Sequence, residues 1–253
     1  MKHWMLIIIP FLLLMSCNQK AEVHSEQAKN SNDTSIKKSY KVESNNYSKN
    51  NINIKYPKII NITNGDKINA LIKEEATRII NSYSEEKDHL DINYLIMLKS
   101  NDLISIQYTG SAFTEGAAYP LNVFYTSNID INKGSRVKLI DLIEVNEAFV
   151  EKFKEGDYKS YNEDLNLLDN GVITEVLSGS NSIDLISYFK QSDEVGQVND
   201  SGTFSYITQD AIGVSISVPH ALGDHLEMEI SFSNLLDNIK KGNKALLGIM
   251  AEK

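Results

Sequence analysis

The sequence lacks the residues that build disulfide frameworks and multi-cysteine metal centres, and it lacks an excess of positive charge. It contains one cysteine and four prolines in 253 residues. A single cysteine excludes an internal disulfide and any zinc or iron–sulfur site that needs several thiolates. Only 25 Lys and Arg stand against 34 Asp and Glu, which gives a net charge of −9. Without a basic excess or a basic stripe, we expect no nucleic-acid partner.

Long hydrophobic runs are also absent, apart from one at the start of the chain. This run covers residues 4–15, follows Lys2 and ends in small residues, as a secretory signal peptide does. A helix that crosses a bilayer needs about 20 apolar residues, so the run is too short for a retained membrane helix. Residues 14–17 read LMSC and resemble the lipobox of bacterial lipoproteins. A plain signal peptide with a cysteine near its cleavage point is the alternative.

The lipobox predicts cleavage after residue 16 and a diacylglycerol on the thiol of Cys17. Each buried acyl methylene contributes about 0.8 kcal/mol, and more than one chain gives stable attachment to a membrane. Loss of residues 1–16 removes Lys2, the one formally charged residue of that segment, so the net charge changes from −9 to −10. We therefore expect a lipoprotein of a bacterial cell envelope that faces the periplasm or the exterior.

The remaining chain divides by composition into a tether and a folded body. Residues 17–50 carry the lipidated cysteine and a stretch dominated by Asn, Ser and Lys, which cannot bury enough apolar surface to fold. A helix over residues 35–42 is the alternative for part of this stretch. The body over residues 51–253 has ordinary globular composition, and the small residues near 110–120 leave open a division into two subdomains there.

Periodicity predicts an α+β fold with an antiparallel sheet. Alternation of Ile52, Ile54 and Tyr56 predicts a strand that ends at Pro57. Apolar residues at i, i+3 and i+4 after residues 63–66 predict an amphipathic helix of roughly 18 residues that ends near Tyr83. Further strands are predicted at 94–98, 103–108, 119–131, 136–139, 202–208, 211–218 and 226–232. Further helices are predicted at 141–153, in parts of 160–177 and of 183–189, and at 234–250. Strands grouped with helices, without βαβ alternation, favour several helices packed on an antiparallel sheet.

Two loops carry the candidate binding residues. One contains His220, Asp224 and His225, which are either metal ligands or a solvated polar turn. Their spacing matches no zinc signature, so the polar turn is favoured, and we expect neither a metal nor a cofactor. The other loop, predicted over residues 108–120, holds Gly116, Tyr119 and Pro120 among small residues and is either close backbone packing or a binding surface.

No catalytic constellation is recognisable. The sequence has no Gly-x-Ser-x-Gly elbow, no His-Glu-x-x-His and no phosphate-binding glycine loop. Carboxylate pairs occur at residues 74–75 and 85–86 and, on one face of a predicted strand, at Glu227 and Glu229. Such pairs are usually solvated, because acid–base catalysis needs a pocket that separates the two pKa values. We therefore expect a protein that is not an enzyme.

Several segments resemble a bacterial envelope domain. They are residues 54–57 (IKYP), 116–120 (GAAYP), 128–134 (NIDINKG) and 137–143 (VKLIDLI), together with 204–217, Pro219, Gly223, Glu227, Ile230 and Leu235. This domain forms the outer part of RsiV-type anti-sigma factors and the N-terminal part of PdaC-type peptidoglycan deacetylases. Tyr119 stands where the family usually has histidine, and the loop at His220 is short and lacks the usual tyrosine.

The resemblance implies an α+β fold and a role in binding. RsiV-type outer domains bind lysozyme, and in PdaC-type proteins the chemistry belongs to a separate deacetylase domain. A non-catalytic lipoprotein that binds a lysozyme-like hydrolase or peptidoglycan is the first hypothesis. A cell-wall-glycan hydrolase that uses acidic residues in a cleft of the sheet, or a deacetylase-associated protein, is the second. A structural partner of another envelope protein is the third.

Overall fold

The structure is a computed structural model, and it describes residues 40–160, 167–168, 170–197 and 200–251. Two β-sheets provide the framework. The first sheet has six strands in chain order, which are β1 (Lys41–Lys49), β2 (Ile52–Ile60), β3 (Asp88–Lys99), β4 (Leu103–Thr114), β5 (Leu121–Asp130) and β6 (Ser135–Arg136). The second sheet has the order β7-β10-β9-β8, from β7 (Asp157–Lys159), β8 (Phe204–Ile207), β9 (Ala211–Ser217) and β10 (His225–Ser231).

Helices connect and cover these sheets. They are α1 (Gly65–Thr77), α2 (Leu139–Leu142), α3 (Glu147–Lys154), α4 (Val172–Gly179), α5 (Ser182–Lys190), α6 (Phe232–Leu235) and α7 (Lys244–Ala251). A 3-10 turn, Arg78–Ser82, continues α1. The mixed α+β class predicted from the sequence is confirmed. Among the described residues, no helix combines the length and the apolar character needed to span a membrane.

Helix α1 packs on one face of the first sheet, as its apolar spacing predicts. Ile68 and Ile72 of α1 are completely buried. The stacked rings of Tyr108 and Tyr125 lie beneath the helix with their centroids 4.7 Å apart, and the Tyr125 hydroxyl donates a 2.6 Å hydrogen bond to the carbonyl of Ala76. A tyrosine buried this deeply needs such a partner for its hydroxyl, so the contact fixes the helix on the sheet.

The other face of the first sheet packs against the second sheet through polar side chains. The Ser105 hydroxyl donates to the Asn128 amide oxygen at 2.7 Å and accepts the Ile207 N–H at 2.9 Å. The Asn128 amide in turn donates to the carbonyl of Ser205 at 2.9 Å. Both faces of the first sheet are therefore covered, and buried residues run without interruption along much of β4 and β5.

The far face of the second sheet carries a separate apolar core with the later helices. Leu226, Met228 and Ile230 of β10 enter this core, while the intervening residues of the strand face the first sheet. Phe153 and Phe189 meet edge to face at 4.9 Å between α3 and α5. The two-residue period of β10 thus separates an apolar side from a polar side that faces inward.

The predicted tether is too long at its C-terminal end. Residues 41–49 form β1, which pairs with β2 over nine residues from Lys41 opposite Ile60 to Lys49 opposite Ile52. Nearly all its side chains are exposed or half-buried, so the strand carries little hydrophobic signal. Residues 41–42 of the alternative helix are likewise part of this strand. The predicted signal peptide, Cys17 and residues 18–39 lie outside the described residues.

Other element boundaries also differ from the sequence predictions, and the predicted helix 234–250 is covered only at its two ends, by α6 and α7. Strand β2 passes through Pro57, because its parallel pairing with β3 stops at Ile54 and leaves that edge without a partner strand beyond it. The predicted strand 136–139 ends early, since α2 starts at Leu139. The predicted helix 141–153 is two helices, because Ile143 is extended and bridges to Ile239. Residues 161–166 of the predicted helix 160–177 lie outside the described residues.

The predicted loop over residues 108–120 is mostly strand. Strand β4 continues to Thr114 and pairs with β5 from Leu103 opposite Asp130 to Ala112 opposite Leu121. Residues 110–120 are therefore the end of one hairpin, not a boundary between subdomains. The sheet also contains one parallel pair, β2 with β3, where the sequence predicted antiparallel pairing. The strands predicted at 94–98, 103–108, 202–208, 211–218 and 226–232 are confirmed.

Candidate functional site

The tip of the β4–β5 hairpin brings together three of the six predicted binding residues. The ring of Tyr119 stacks on the ring of His220 with centroids 4.1 Å apart and planes 6° apart. His220 Nδ1 lies 2.9 Å from a carboxylate oxygen of Asp224. The same carboxylate accepts the Asn122 N–H at 2.7 Å. The contacts hold Tyr119 in one orientation while its side chain stays 52% exposed.

The other three predicted residues are placed differently. Gly116 and Pro120 lie in the exposed turn of the same hairpin, and Gly116 has φ +88 with open space where a β-carbon would stand. His225 is buried and stacks on Phe124 at 4.7 Å, so it faces the inside of the molecule. The predicted trio of His220, Asp224 and His225 does not converge. In the described part of the chain, no three His, Cys, Asp or Glu side chains are placed to hold a metal ion.

An apolar hollow lies beside Tyr119. We call it the tip hollow, and we define it by Tyr83, Ala117, Ala118, Tyr119 and Leu121, which line a volume of about 260 Å³. The Leu121 side chain is 44% exposed. Large apolar side chains that remain exposed together on a rigid hairpin are typical of surfaces that bind other proteins.

The surroundings of the tip hollow are acidic. Burial, and then the negative charges of Asp88, Asp200 and Asp224, raise the pKa of the Tyr83 hydroxyl above its ordinary value. Glu115 is exposed at the turn, and its N–H donates to the carbonyl of Lys87 at 2.9 Å. This bond joins the hairpin tip to the residue that precedes Asp88, the first residue of β3. A cationic partner would therefore be attracted to this end of the sheet.

A second cavity lies inside, between the two sheets, and we call it the inter-sheet cleft. It has a volume of about 460 Å³, and its polar lining includes Gln107, Tyr206, His225, Glu227 and Glu229. The sequence analysis noted Glu227 and Glu229 on one strand face, and the structure places both on the face of β10 that looks toward the first sheet. Gln107 and Tyr206 were not predicted from the sequence, because they lie far from Glu227 and Glu229 along the chain and belong to no motif.

Hydrogen bonds organise the carboxylates of the inter-sheet cleft. Gln107 Nε2 donates to Glu227 at 2.8 Å, and His225 Nε2 lies 3.4 Å from the other oxygen of Glu227. The Tyr206 hydroxyl donates to Glu229 at 3.1 Å, and Lys159 Nζ lies 3.0 Å from the second Glu229 oxygen. Glu227 is 5% exposed, so these contacts within the protein are the main partners of its buried carboxyl group.

Comparisons with known proteins show a distant likeness to a bacterial family. No family model and no curated protein matches the sequence. A solved structure of a DUF3298 family member from Bacteroides fragilis is similar, with a TM-score of 0.48, 15% identity and coverage of 85% of this chain and 99% of that chain. The solved structure of a DUF3298 family protein from Pseudomonas aeruginosa is similar with a TM-score of 0.46 and 12% identity, and the match covers 80% of this chain and 93% of that chain. At this level of similarity, neither relation identifies a ligand or a reaction.

Proposed function

We propose that the protein is a non-catalytic lipoprotein of the cell envelope that binds a basic extracytoplasmic protein through the tip hollow. The observation that carries this proposal is the exposed apolar hollow with carboxylates around it. A lysozyme-like hydrolase is the partner that the sequence resemblance implies, and its positive charge would suit this surface. Peptidoglycan is the second ligand, and binding to it would place the same protein on the cell wall.

Apolar contacts and charges would contribute to different steps of binding. Burial of Tyr119 and Leu121 under a partner would supply most of the affinity, because exposed aromatic and aliphatic anchors dominate interface energetics. The carboxylates at Asp200, Asp224 and Glu115 would mainly speed association with a basic partner and would act less at high salt. The expected mature charge of −10 acts in the same direction over a longer range.

The first test measures binding at the tip hollow. We expect the full chain in detergent to bind lysozyme saturably at physiological ionic strength, and Tyr119→Ala to weaken this binding by at least about tenfold because it removes the central apolar anchor. The matched control is Tyr188→Ala on α5, since Tyr188 is 47% exposed and lies outside the hollow. Isothermal titration calorimetry across a salt series measures both. Equal loss in the two variants, or no binding to lysozyme, contradicts the proposal for this partner.

The same protein preparations separate the remaining functions. Sedimentation with purified sacculi reports binding to peptidoglycan, and release of dye-labelled fragments from sacculi reports hydrolysis. Hydrolysis that disappears in Glu227→Gln would support the enzyme hypothesis and contradict a purely binding role. Sacculus binding that Tyr119→Ala removes would move the proposed ligand from protein to glycan.

The second test concerns the anchor. We expect cells that make the protein to incorporate labelled fatty acid into it, and Cys17→Ser to abolish this label completely, because the thiol is the proposed attachment atom. Ser16→Ala, which keeps a small residue before the cysteine, serves as the control and should retain the label. Gel fluorography of the immunoprecipitated protein gives the measurement. A label that persists in Cys17→Ser would favour a plain signal peptide and another site of modification.

A further inference from the structure

The inter-sheet cleft has more negative charge than the chain itself compensates. Glu227 and Glu229 stand two residues apart on the inward face of β10. Lys159 is the one Lys or Arg within 4 Å of either carboxylate among the described residues, and its side chain is 45% exposed. The imidazole of His225 also lies 3.4 Å from Glu227, so Lys159 is the one Lys or Arg cation beside two carboxylates. Such an excess of carboxylates favours the entry of a further positive charge.

Two groups beside the carboxylates add to the description of the cleft. Burial, and then the charges of Glu227 and Glu229, raise the pKa of the Tyr206 hydroxyl far above its ordinary value. The Ser215 hydroxyl, whose residue is the cross-strand neighbour of Glu227, is completely buried and has no hydrogen-bond partner among the described residues. Buried polar groups in native proteins are normally paired, so this end of the second sheet has hydrogen-bonding capacity that the described residues do not use.

The first sheet also contributes apolar side chains to the cleft, beside its polar residues Gln107, Thr109 and Asn122. Leu95, Met97 and Val123 of the first sheet line it, and Leu95 is 58% exposed at the edge of the cavity. A volume of about 460 Å³ with apolar side chains and a few convergent polar groups has the size and composition of a small-ligand site. The apolar side chains and the carboxylates together fit a molecule that has an aliphatic part and a cationic end.

We infer that the inter-sheet cleft binds a primary ammonium group carried on a short aliphatic chain, as in a lysine side chain. The ammonium would donate hydrogen bonds to Glu229 and Glu227, and the methylenes would lie along Leu95 and Met97. An ammonium–carboxylate contact of this kind already occurs within the chain, since Lys159 Nζ lies 3.0 Å from a carboxylate oxygen of Glu229. A ligand ammonium would share or replace this position, and the half-exposed Lys159 side chain would move into solvent.

The inference goes beyond the proposed function, because the tip hollow is defined by other residues. A lysine of a bound protein and a free amine present the same ammonium group, and the proposed ligand is the free small molecule. The probe is therefore Nα-acetyl-L-lysine methylamide, whose side-chain ammonium is its single charge. Its Nε-acetylated analogue has the same aliphatic chain without the charge and serves as the matched ligand control.

The experiment titrates both compounds into the full chain in detergent and follows binding by calorimetry and by the melting temperature. We expect the ammonium probe to bind saturably and at least tenfold more tightly than the acetylated analogue. Glu229→Gln should weaken the probe at least tenfold, whereas Glu175→Gln, which removes one exposed carboxylate from α4, should change the affinity less than twofold. Lys159→Met should tighten binding several-fold, because it removes the internal competitor.

Several outcomes would overturn the inference. They are equal binding of the two compounds, equal effects of Glu229→Gln and Glu175→Gln, and no saturable binding at millimolar probe. If Glu229→Gln fails to fold, Lys159→Met still tests the inference. Tighter probe binding in Lys159→Met supports it, whereas weaker or unchanged binding means that the Lys159–Glu229 ion pair is purely structural. Loss of lysozyme binding in Tyr119→Ala with unchanged probe binding would show that the two sites are separate.

Discussion

Replacement of Asp193 by alanine is expected to reduce the free energy of unfolding by about 3–5 kcal/mol, enough to unfold a marginally stable protein. The Asp193 carboxylate is almost fully buried and accepts backbone N–H groups from Leu139 at 2.8 Å and from Ser205 at 2.6 Å. It also accepts the Ser205 hydroxyl at 2.9 Å. Alanine would leave two buried N–H groups without acceptors, and each such group costs about 1–3 kcal/mol. Urea denaturation of the purified chain measures the loss.

Asp141→Ala provides the control for this prediction. Asp141 is exposed, and its carboxylate also accepts a backbone N–H, from Lys138 at 2.9 Å at the start of α2. Loss of such a solvent-exposed cap costs only about 1 kcal/mol, because water replaces the lost acceptor. If the two variants lose equal stability, the burial of Asp193 is not the cause of its effect. A loss near zero for Asp193→Ala would contradict its role in joining α2 to β8.

Gly110→Ala is expected to destabilise the protein by about 3 kcal/mol, because the backbone of β3 leaves no space for a β-carbon at this residue of β4. A β-carbon at Gly110 would lie 1.9 Å from the carbonyl oxygen of Asp91 and 2.9 Å from the α-carbon of Ile92. Both neighbours are backbone atoms, so no side-chain rotation relieves the overlap. The strands would have to separate and lose ladder hydrogen bonds in the centre of the first sheet. Urea denaturation and the melting temperature measure the effect.

Gly179→Ala tests the same change where there is space. Gly179 is the last residue of α4, and a β-carbon there would have no heavy atom within 4 Å. Alanine should stabilise this variant by about 0.5 kcal/mol, since it restricts the unfolded chain and favours the helix. Opposite signs for the two substitutions are therefore the expected result. Destabilisation of both by a similar amount would mean that the close approach at Gly110 does not decide the outcome.

The sequence was sufficient for elements with a strong periodic signal. The spacing of Ile68 and Ile72 predicted the buried face of α1, and the alternation in residues 52–56 predicted the first half of β2. Strand β1 was not predicted, because its side chains are mostly polar and exposed on both faces and its sequence therefore shows no hydrophobic alternation. The parallel pairing of β2 with β3 was also inaccessible, since it depends on how the chain returns after α1.

For the candidate sites, the sequence likewise indicated some residues but not their contacts. Loop composition singled out Tyr119, His220 and Asp224 as candidate residues, and the structure leaves Tyr119 exposed and the other two half-buried. Their stacking could not be predicted, because a hundred residues separate Tyr119 from its partners. The inter-sheet cleft depends even more on tertiary structure, since Gln107 reaches Glu227 across 120 positions. Side chains that meet only through packing leave no spacing pattern in a single sequence.

With the lipid anchor proposed above, strand β1 would also determine how the folded body is released from a membrane. It is the edge strand of the first sheet, and it covers β2, whose Ile52, Ile54 and Ile59 are buried. A protease that cuts on the N-terminal side of Tyr40 would free a body with its sheet edge still covered by polar residues. A cut within residues 41–49 would instead shed a body with the backbone of β2 uncovered, and such edges pair with other chains and aggregate. The position of the cut relative to β1 would therefore determine whether the released body stays soluble or aggregates.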